Sequence, residues 1–294
     1  MPEPIPRLIP PICSKAIAAR HSSTIYEVLD LMIIGGGKMG QALAQGMLSA
    51  KVVKAEALGI VEVSEALRAD LSQRFPQCSV SEHPLPASST IIAVKPGDIE
   101  RVATSLKSES KQRVLSIAAG VSTAALEVWL GGRPRVIRAM PNTPAMHGLG
   151  MTALCGGRYV GESDIEWAKS LMSAVGKVAV VKESQIDAIT AVSGSGPAYV
   201  FLVAEAMIEA AVAEGLSWEM ASELVTQTIY GAGAMLAEGS QSPTMLRQNV
   251  TSPGGTTAAA LAALEESALR AAFAKAVTRA KERSAEITAE LFKH

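Results

Sequence analysis

LMIIGGGKMGQALAQG, residues 31–46, is the stretch that decides the fold. Four apolar residues run straight into three glycines, after which QALAQG takes up helical spacing. Gly35, Gly37 and Gly40 stand at G-x-G-x-x-G spacing, directly after a strand and at the start of a helix. Each has a physical reason: Gly35 makes the tight turn, Gly37 lets a pyrophosphate approach the backbone, and Gly40 lets the helix pack on the strand. The free N–H groups and dipole of the helix start then favour an anion. Gly36, Lys38 and Met39 complete the turn as candidate dinucleotide contacts.

Outward from this turn, short β-rich runs alternate with helical patterns. LMII (31–34), LGIVEV (58–63), TIIAV (90–94), RVLSIA (113–118), RVIRAM (135–140), GMTALC (150–155) and KVAVV (177–181) read as strands. Several are apolar on both faces, as strands covered by helices on two sides must be. QALAQGMLSA, EALRADLSQRF, DIERVATSL, TAALEVWL and DIEWAKSLMSAV read as the intervening helices. The pattern predicts an α/β fold, a Rossmann-type doubly wound, mainly parallel sheet over residues 29–182.

After Lys182 the strands stop, and residues 183–294 read as an all-helical region. AYVFLVAEAMIEAAVAEG (198–215), ASELVTQTIYGAGAMLAEG (221–239) and the long stretch 256–292 are apolar around much of their girth. A region this size has too little interior to bury them, so self-association through these helices is expected. The alternative is a compact helical subdomain packed only on the sheet. Ahead of the sheet, residues 1–28 crowd Pro2, Pro4, Pro6, Pro10 and Pro11 together. They read as a disordered extension, an over-long start or a transit segment.

In open α/β sheets ligands bind at the carboxyl ends of the strands. Glu62, 22 residues beyond Gly40, ends the second strand, where an acid accepts a hydrogen bond from an adenosine ribose 2′-OH and repels a 2′-phosphate. That tilts the choice towards NADH, although Ser64 and Arg68 could hold the 2′-phosphate of NADPH if Glu62 turned away. AVKPGD places Ala93, Val94, Lys95 and Pro96 at another strand end, and SIAAG places Ala118, Ala119 and Gly120 at a third. For Lys95 a solvated cation is the competing reading.

Composition narrows the chemistry. The 294 residues, 48% hydrophobic, hold an ample core, and 27 basic against 28 acidic residues leave no stripe for nucleic acid and no patch for a membrane surface. No uninterrupted apolar run of about 18 residues occurs, so a spanning helix is not expected. Cys13, Cys78 and Cys155 form no CxxC pair, which suits a reducing cytoplasm. The four histidines, His21, His83, His147 and His294, lack metal-ligand spacing, so no metal is expected. A nicotinamide site without metal or nucleophile suits hydride transfer to a cyclic imine. Its protonated C=N is already an electrophile, and the nitrogen keeps its proton in the product.

TSPGGTT, residues 251–257, supplies the second half of the argument. Locally, Pro253 and Gly254-Gly255 break one helix while Thr256 or Thr257 caps the next. Together with IIGGGKMGQAL, AVKP, SIAAGV, RAMPNTP and AVSGSGPAYVF, in this order over residues 31 to about 290, the chain resembles the pyrroline-5-carboxylate reductase family. The resemblance implies reduction of 1-pyrroline-5-carboxylate to L-proline by NADPH or NADH. It implies that Ser252 and the backbone N–H groups of Gly255, Thr256 and Thr257 clasp the substrate carboxylate. Thr257 would be the catalytic contact, its hydroxyl on the ring nitrogen, with Val250 an apolar neighbour and Asn249 a cofactor contact. It further implies that this loop meets the cofactor between subunits. For Asn142 and Thr143 of RAMPNTP a turn-forming role competes with cofactor contact, and SGSGPAYVF reads as a helix start with Ser195 as cap. Ala268-Leu269 stand where the family commonly has Gly-Phe.

Two rivals remain. A β-hydroxyacid dehydrogenase would need a helix-borne lysine, and none occurs between Gln185 and Gln248. A non-enzymatic dinucleotide-binding protein is the other.

Overall fold

The computed structural model describes residues 28–106 and 112–291, so the reading of the first 27 residues lies outside the described chain. Eight strands form one sheet: β1 (Leu31–Ile34), β2 (Leu58–Val61), β3 (Ser79–Ser81), β4 (Ser89–Ile92), β5 (Arg113–Ser116), β6 (Arg135–Met140), β7 (Gly150–Gly156) and β8 (Gly176–Val180). Their order is β3-β2-β1-β4-β5-β6-β7-β8. Neighbours are parallel throughout except β6 and β7. Residues 141–149 are too few for a crossover, so β7 must run back along β6.

The pleat sorts the core. Leu31 and Ile33 of β1 face one apolar cluster, filled by α1 (Lys38–Ser49), α2 (Glu65–Arg74) and α5 (Glu162–Ser173); Met32 and Ile34 face the other, filled by α3 (Ile99–Ser105) and α4 (Thr123–Leu130). Because side chains alternate with period two, continuously apolar strands supply both layers. Each fully buried large aliphatic contributes about 2 kcal/mol. The strand that the sequence pattern does not announce is β3, a half-buried edge strand of composition Ser-Val-Ser. Its polar three-residue run carries no β signal.

The helical region departs from expectation in four places. α6 (Ile186–Ile189) runs through a π-type turn, Thr190–Gly194, into α7 (Gly196–Ala213). Ser195, in the cap position between the two, keeps helical backbone angles, φ −86° and ψ −19°, and its side chain caps nothing. α8 (Trp218–Glu238) is followed by a helix absent from the sequence pattern, α9 (Pro243–Asn249), whose start Ser242 caps by accepting from the Met245 N–H at 3.2 Å. Within the expected stretch 256–292, the described residues 256–291 form two helices, α10 (Thr256–Glu266) and α11 (Leu269–Leu291), parted at Ala268, which has φ +56°. Finally, the helical run Glu183–Ala213 is long and apolar enough by length and composition to cross a membrane, and its most apolar stretch is unburied within one chain. Asp187, Thr190, Ser193, Ser195, Glu205 and Glu209 interrupt it, which is why no unbroken apolar run marks it in the sequence.

α11 packs on α6 and the π-type turn and brings Ile287 beside Gly120 of the sheet region, whereas α8 packs on α7 and α10 on α11. This is no compact subdomain. Phe201, Leu202 and Tyr230 are each more than 60% exposed, and buried side chains are scarce from α7 onward.

Candidate active site

β1, β2 and β4 end on a common open crevice of about 650 Å³, lined by Gly35, Gly37, Glu62, Ala93, Val94 and Lys95, all expected from the sequence. Gly35 has φ +110°, and a Cβ on it would lie 2.6 Å from the Ala93 carbonyl oxygen. Its N–H donates to the Val61 carbonyl at 2.9 Å. A Cβ on Gly40 would collide with the Gly35 carbonyl, which fixes how closely α1 sits on β1. Gly37 is different: nothing lies within 4 Å of where its Cβ would be. The protein gives no packing reason for that glycine, whereas a phosphate lying on the backbone does. Gly37 lines the crevice at the cap position of α1, and no side chain caps that helix, so its first-turn N–H groups have no capping partner. Lys38 is exposed at that start, Met39 packs beneath, and Gly36 is buried.

Glu62 is anchored at both oxygens. Oε2 accepts from the Gly36 N–H at 3.0 Å and Oε1 from the Ser64 N–H at 2.9 Å. Ser64 caps α2 through its hydroxyl, which accepts from the Leu67 N–H at 3.4 Å. Glu82, His83 and Arg101 also line the crevice and no sequence motif marks them; Asp98, the last residue of AVKPGD, joins them. The first two follow β3, the strand without a sequence signal.

Further along the sheet the expected contacts divide. Pro96 opens a short 3₁₀ turn beside Lys95. Ala118 turns its side chain into the core, leaving only backbone for a ligand; Ala119 is half-buried. Gly120 has φ +75°, and a Cβ there would meet Ile287 of α11 at 2.9 Å, so helix packing alone accounts for it. Asn142 is a brace: its amide donates to the Ser193 carbonyl and hydroxyl at 3.2 and 3.3 Å, and its Oδ1 accepts from the Met151 N–H at 2.8 Å. RAMPNTP thus holds SGSGP in place. Burial, then Glu183, pushes the Cys155 thiol up to about 12, with Arg138 opposing, so it is no nucleophile. Among the described residues no group of three or more His, Cys, Asp or Glu stands together as metal ligands.

The loop before α10 is built for a different ligand. Gly254 has φ +68°, and a Cβ on Gly255 would strike the Ser252 hydroxyl, so the side chain of Ser252 folds over its glycine. Gly255, not Thr256 or Thr257, holds the cap position, and no side chain caps the helix. Its first N–H groups are open to an anion. Hydrogen bonds of Thr251 and Gly255 stay within residues 247–255, and Asn249 donates to Gln241 at 2.8 Å. Val250 is 60% exposed. Within one chain the loop's own hydrogen bonds thus tie it to the helical region and not to the crevice.

Residues 183–287 match the pyrroline-5-carboxylate reductase dimerisation family, and residues 30–120 match the NADP oxidoreductase, coenzyme F420-dependent, family. A pyrroline-5-carboxylate reductase of Corynebacterium melassecola is 38% identical over 265 residues, which cover 87% of this chain and 98% of that one. This chain belongs to the pyrroline-5-carboxylate reductase family. The solved reductase of Coxiella burnetii superposes on this one with a TM-score of 0.83 at 39% identity, covering 89% of this chain and 99% of that one. The Plasmodium falciparum pyrroline carboxylate reductase, solved with NADP bound, gives 0.73 at 30% identity over 88% and 98%. The reductase accordingly joins a Rossmann-type sheet to a dimerisation region, and the β-hydroxyacid and non-enzymatic readings are not favoured.

Proposed function

We propose that this chain reduces 1-pyrroline-5-carboxylate to L-proline with NADPH or NADH, as the last step of proline synthesis. In this reading residues 29–182 hold the dinucleotide and residues 183–294 hold the substrate and the second subunit. The observation that carries it is the pairing of two uncapped helix starts, each behind a glycine turn: α1 over the crevice and α10 behind Ser252–Gly255. One suits a pyrophosphate and the other a small carboxylate.

When bound, the reduced nicotinamide supplies the hydride. The chain's own groups bind and orient. The N–H groups of Gly37, Lys38 and Met39 hold the pyrophosphate, while Glu62 takes the adenosine ribose. Ser252 and the N–H groups of Gly255, Thr256 and Thr257 hold the substrate carboxylate. The Thr257 hydroxyl accepts from the protonated ring nitrogen and steadies the iminium, so that catalysis is mainly positioning. Because the loop before α10 stands apart from its own crevice, it serves the crevice of a partner subunit, whose helices also cover Phe201, Leu202 and Tyr230. That cover, rather than a bilayer, accounts for the apolar run Glu183–Ala213. A cytoplasmic setting completes the reading, in keeping with the free thiols of Cys78 and Cys155.

The test is to mix the purified chain with pyrroline-5-carboxylate and each reduced dinucleotide. Decay of nicotinamide absorbance with matching appearance of proline is expected; no decay with either dinucleotide overturns the proposal.

A further inference from the structure

The adenosine end of the crevice is acidic, and its cation is already committed. Glu62 and Glu82 both line it. Glu62 cannot swing aside cheaply, since both carboxylate oxygens accept backbone N–H groups, at 3.0 Å from Gly36 and 2.9 Å from Ser64. Rotation would leave the half-buried carboxylate and the buried Gly36 N–H without partners, which costs more than a surface ion pair returns. Arg68, the residue placed to receive a 2′-phosphate, donates instead to the carbonyls of Glu62 and Val63 at 2.9 and 2.8 Å. Its other nitrogen pairs with Glu82 at 3.3 Å. Ser64 spends its hydroxyl as the cap of α2. Lys95 follows β4, on the far side of β1 from β2, and Arg101 pairs with Asp98 at 3.1 Å.

We infer that this chain selects NADH over NADPH, with Glu62 and Glu82 as the residues that set the preference. The inference rests on the reading of the crevice as the dinucleotide site. A ribose 2′-OH donates a hydrogen bond to Glu62, which keeps free lone pairs on both oxygens. A 2′-phosphate in the same place brings two negative charges against two carboxylates whose neighbouring guanidinium is satisfied by protein. Like charges at such separations repel strongly where water is partly excluded.

The experiment is a fluorescence titration of the full chain with NADH and with NADPH in one buffer, alongside kcat/KM for each. NADH should bind at least about tenfold tighter, the factor that about 1.4 kcal/mol produces. Glu82→Gln should narrow the gap by tightening NADPH, and Glu62→Gln should narrow it further. Equal or tighter binding of NADPH by the unaltered chain overturns the inference while leaving the dinucleotide site intact. So does an unmoved ratio in both variants when NADH still binds. Failure of both dinucleotides to bind overturns the site itself and the preference with it.

Discussion

Glu183 accepts from both the amide and the hydroxyl of Thr123, at 2.8 and 2.7 Å, and so ties the entry to the helical region to the start of α4. The same carboxylate receives Arg138 at 3.4 Å; Arg138 is 4% exposed and its other terminal nitrogen has no partner. The start of helix α4 and strand β6 are thereby both fixed to the first residue of the dimerisation region.

Removing Glu183 leaves a buried guanidinium uncompensated. Glu183→Ala should cost about 3 kcal/mol. Thermal unfolding at fixed protein concentration measures it, and Arg138→Met in the same chain should recover part of the loss. A double variant no more stable than the single one would show that the charge was not the burden.

Asp164, 2% exposed, is held between Arg113 at 2.7 Å and Arg135 at 3.1 Å and accepts the Gly161 N–H at 3.0 Å. Burial alone would raise its pKa; the Arg113 hydrogen bond, the Gly161 N–H and the two guanidinium charges together outweigh it, and the carboxyl lies below its ordinary range. A depressed folded pKa stabilises fully above the unfolded value of about 3.9 and is lost as pH falls through the folded one. Asp164→Asn should therefore be less stable by about 3 kcal/mol near neutrality, with the difference shrinking below about pH 4. Urea midpoints across pH 3 to 7 would reveal a constant gap if the charge were irrelevant.

Ala268 sits at φ +56° between α10 and α11, where an L side chain is strained by about 1 kcal/mol. Ala268→Gly should raise stability by up to that amount, less the added entropy of the unfolded chain. A fall in melting temperature would place the benefit of the methyl group in the dimer contact instead.

Thr257→Ala should lower kcat/KM for pyrroline-5-carboxylate about a hundredfold and leave dinucleotide affinity nearly intact. Equal loss in both would contradict a role confined to the substrate.

What is legible in the sequence follows from how locally each feature is encoded. The Gly35–Gly40 turn and the two-sided strands carry their structure in their own residues, and they stand where the glycine spacing and apolar runs place them. Edge strand β3 carries almost no apolar signal, and with it Glu82 and His83 stay hidden. The helix break at Ala268 is concealed because alanine is a helix former and only its backbone angle betrays the turn. Ser195 holds the cap position of α7 but its side chain accepts nothing there, because a π-type turn, which no spacing rule announces, keeps the backbone angles helical ahead of α7. Gly120 shows a further limit: its close neighbour, Ile287, lies in the last helix, and only the folded chain brings the two together.

Hydride passes, in the proposed reaction, from the nicotinamide to the C=N carbon of a cyclic imino acid. This transfer is tested most directly with reduced dinucleotide deuterated at the transferring C4 position and pyrroline-5-carboxylate. Proline carrying one deuterium on the ring carbon bonded to nitrogen, opposite the carboxylate-bearing carbon, is the predicted product. Unlabelled proline, or none at all while dinucleotide still binds, would contradict the account.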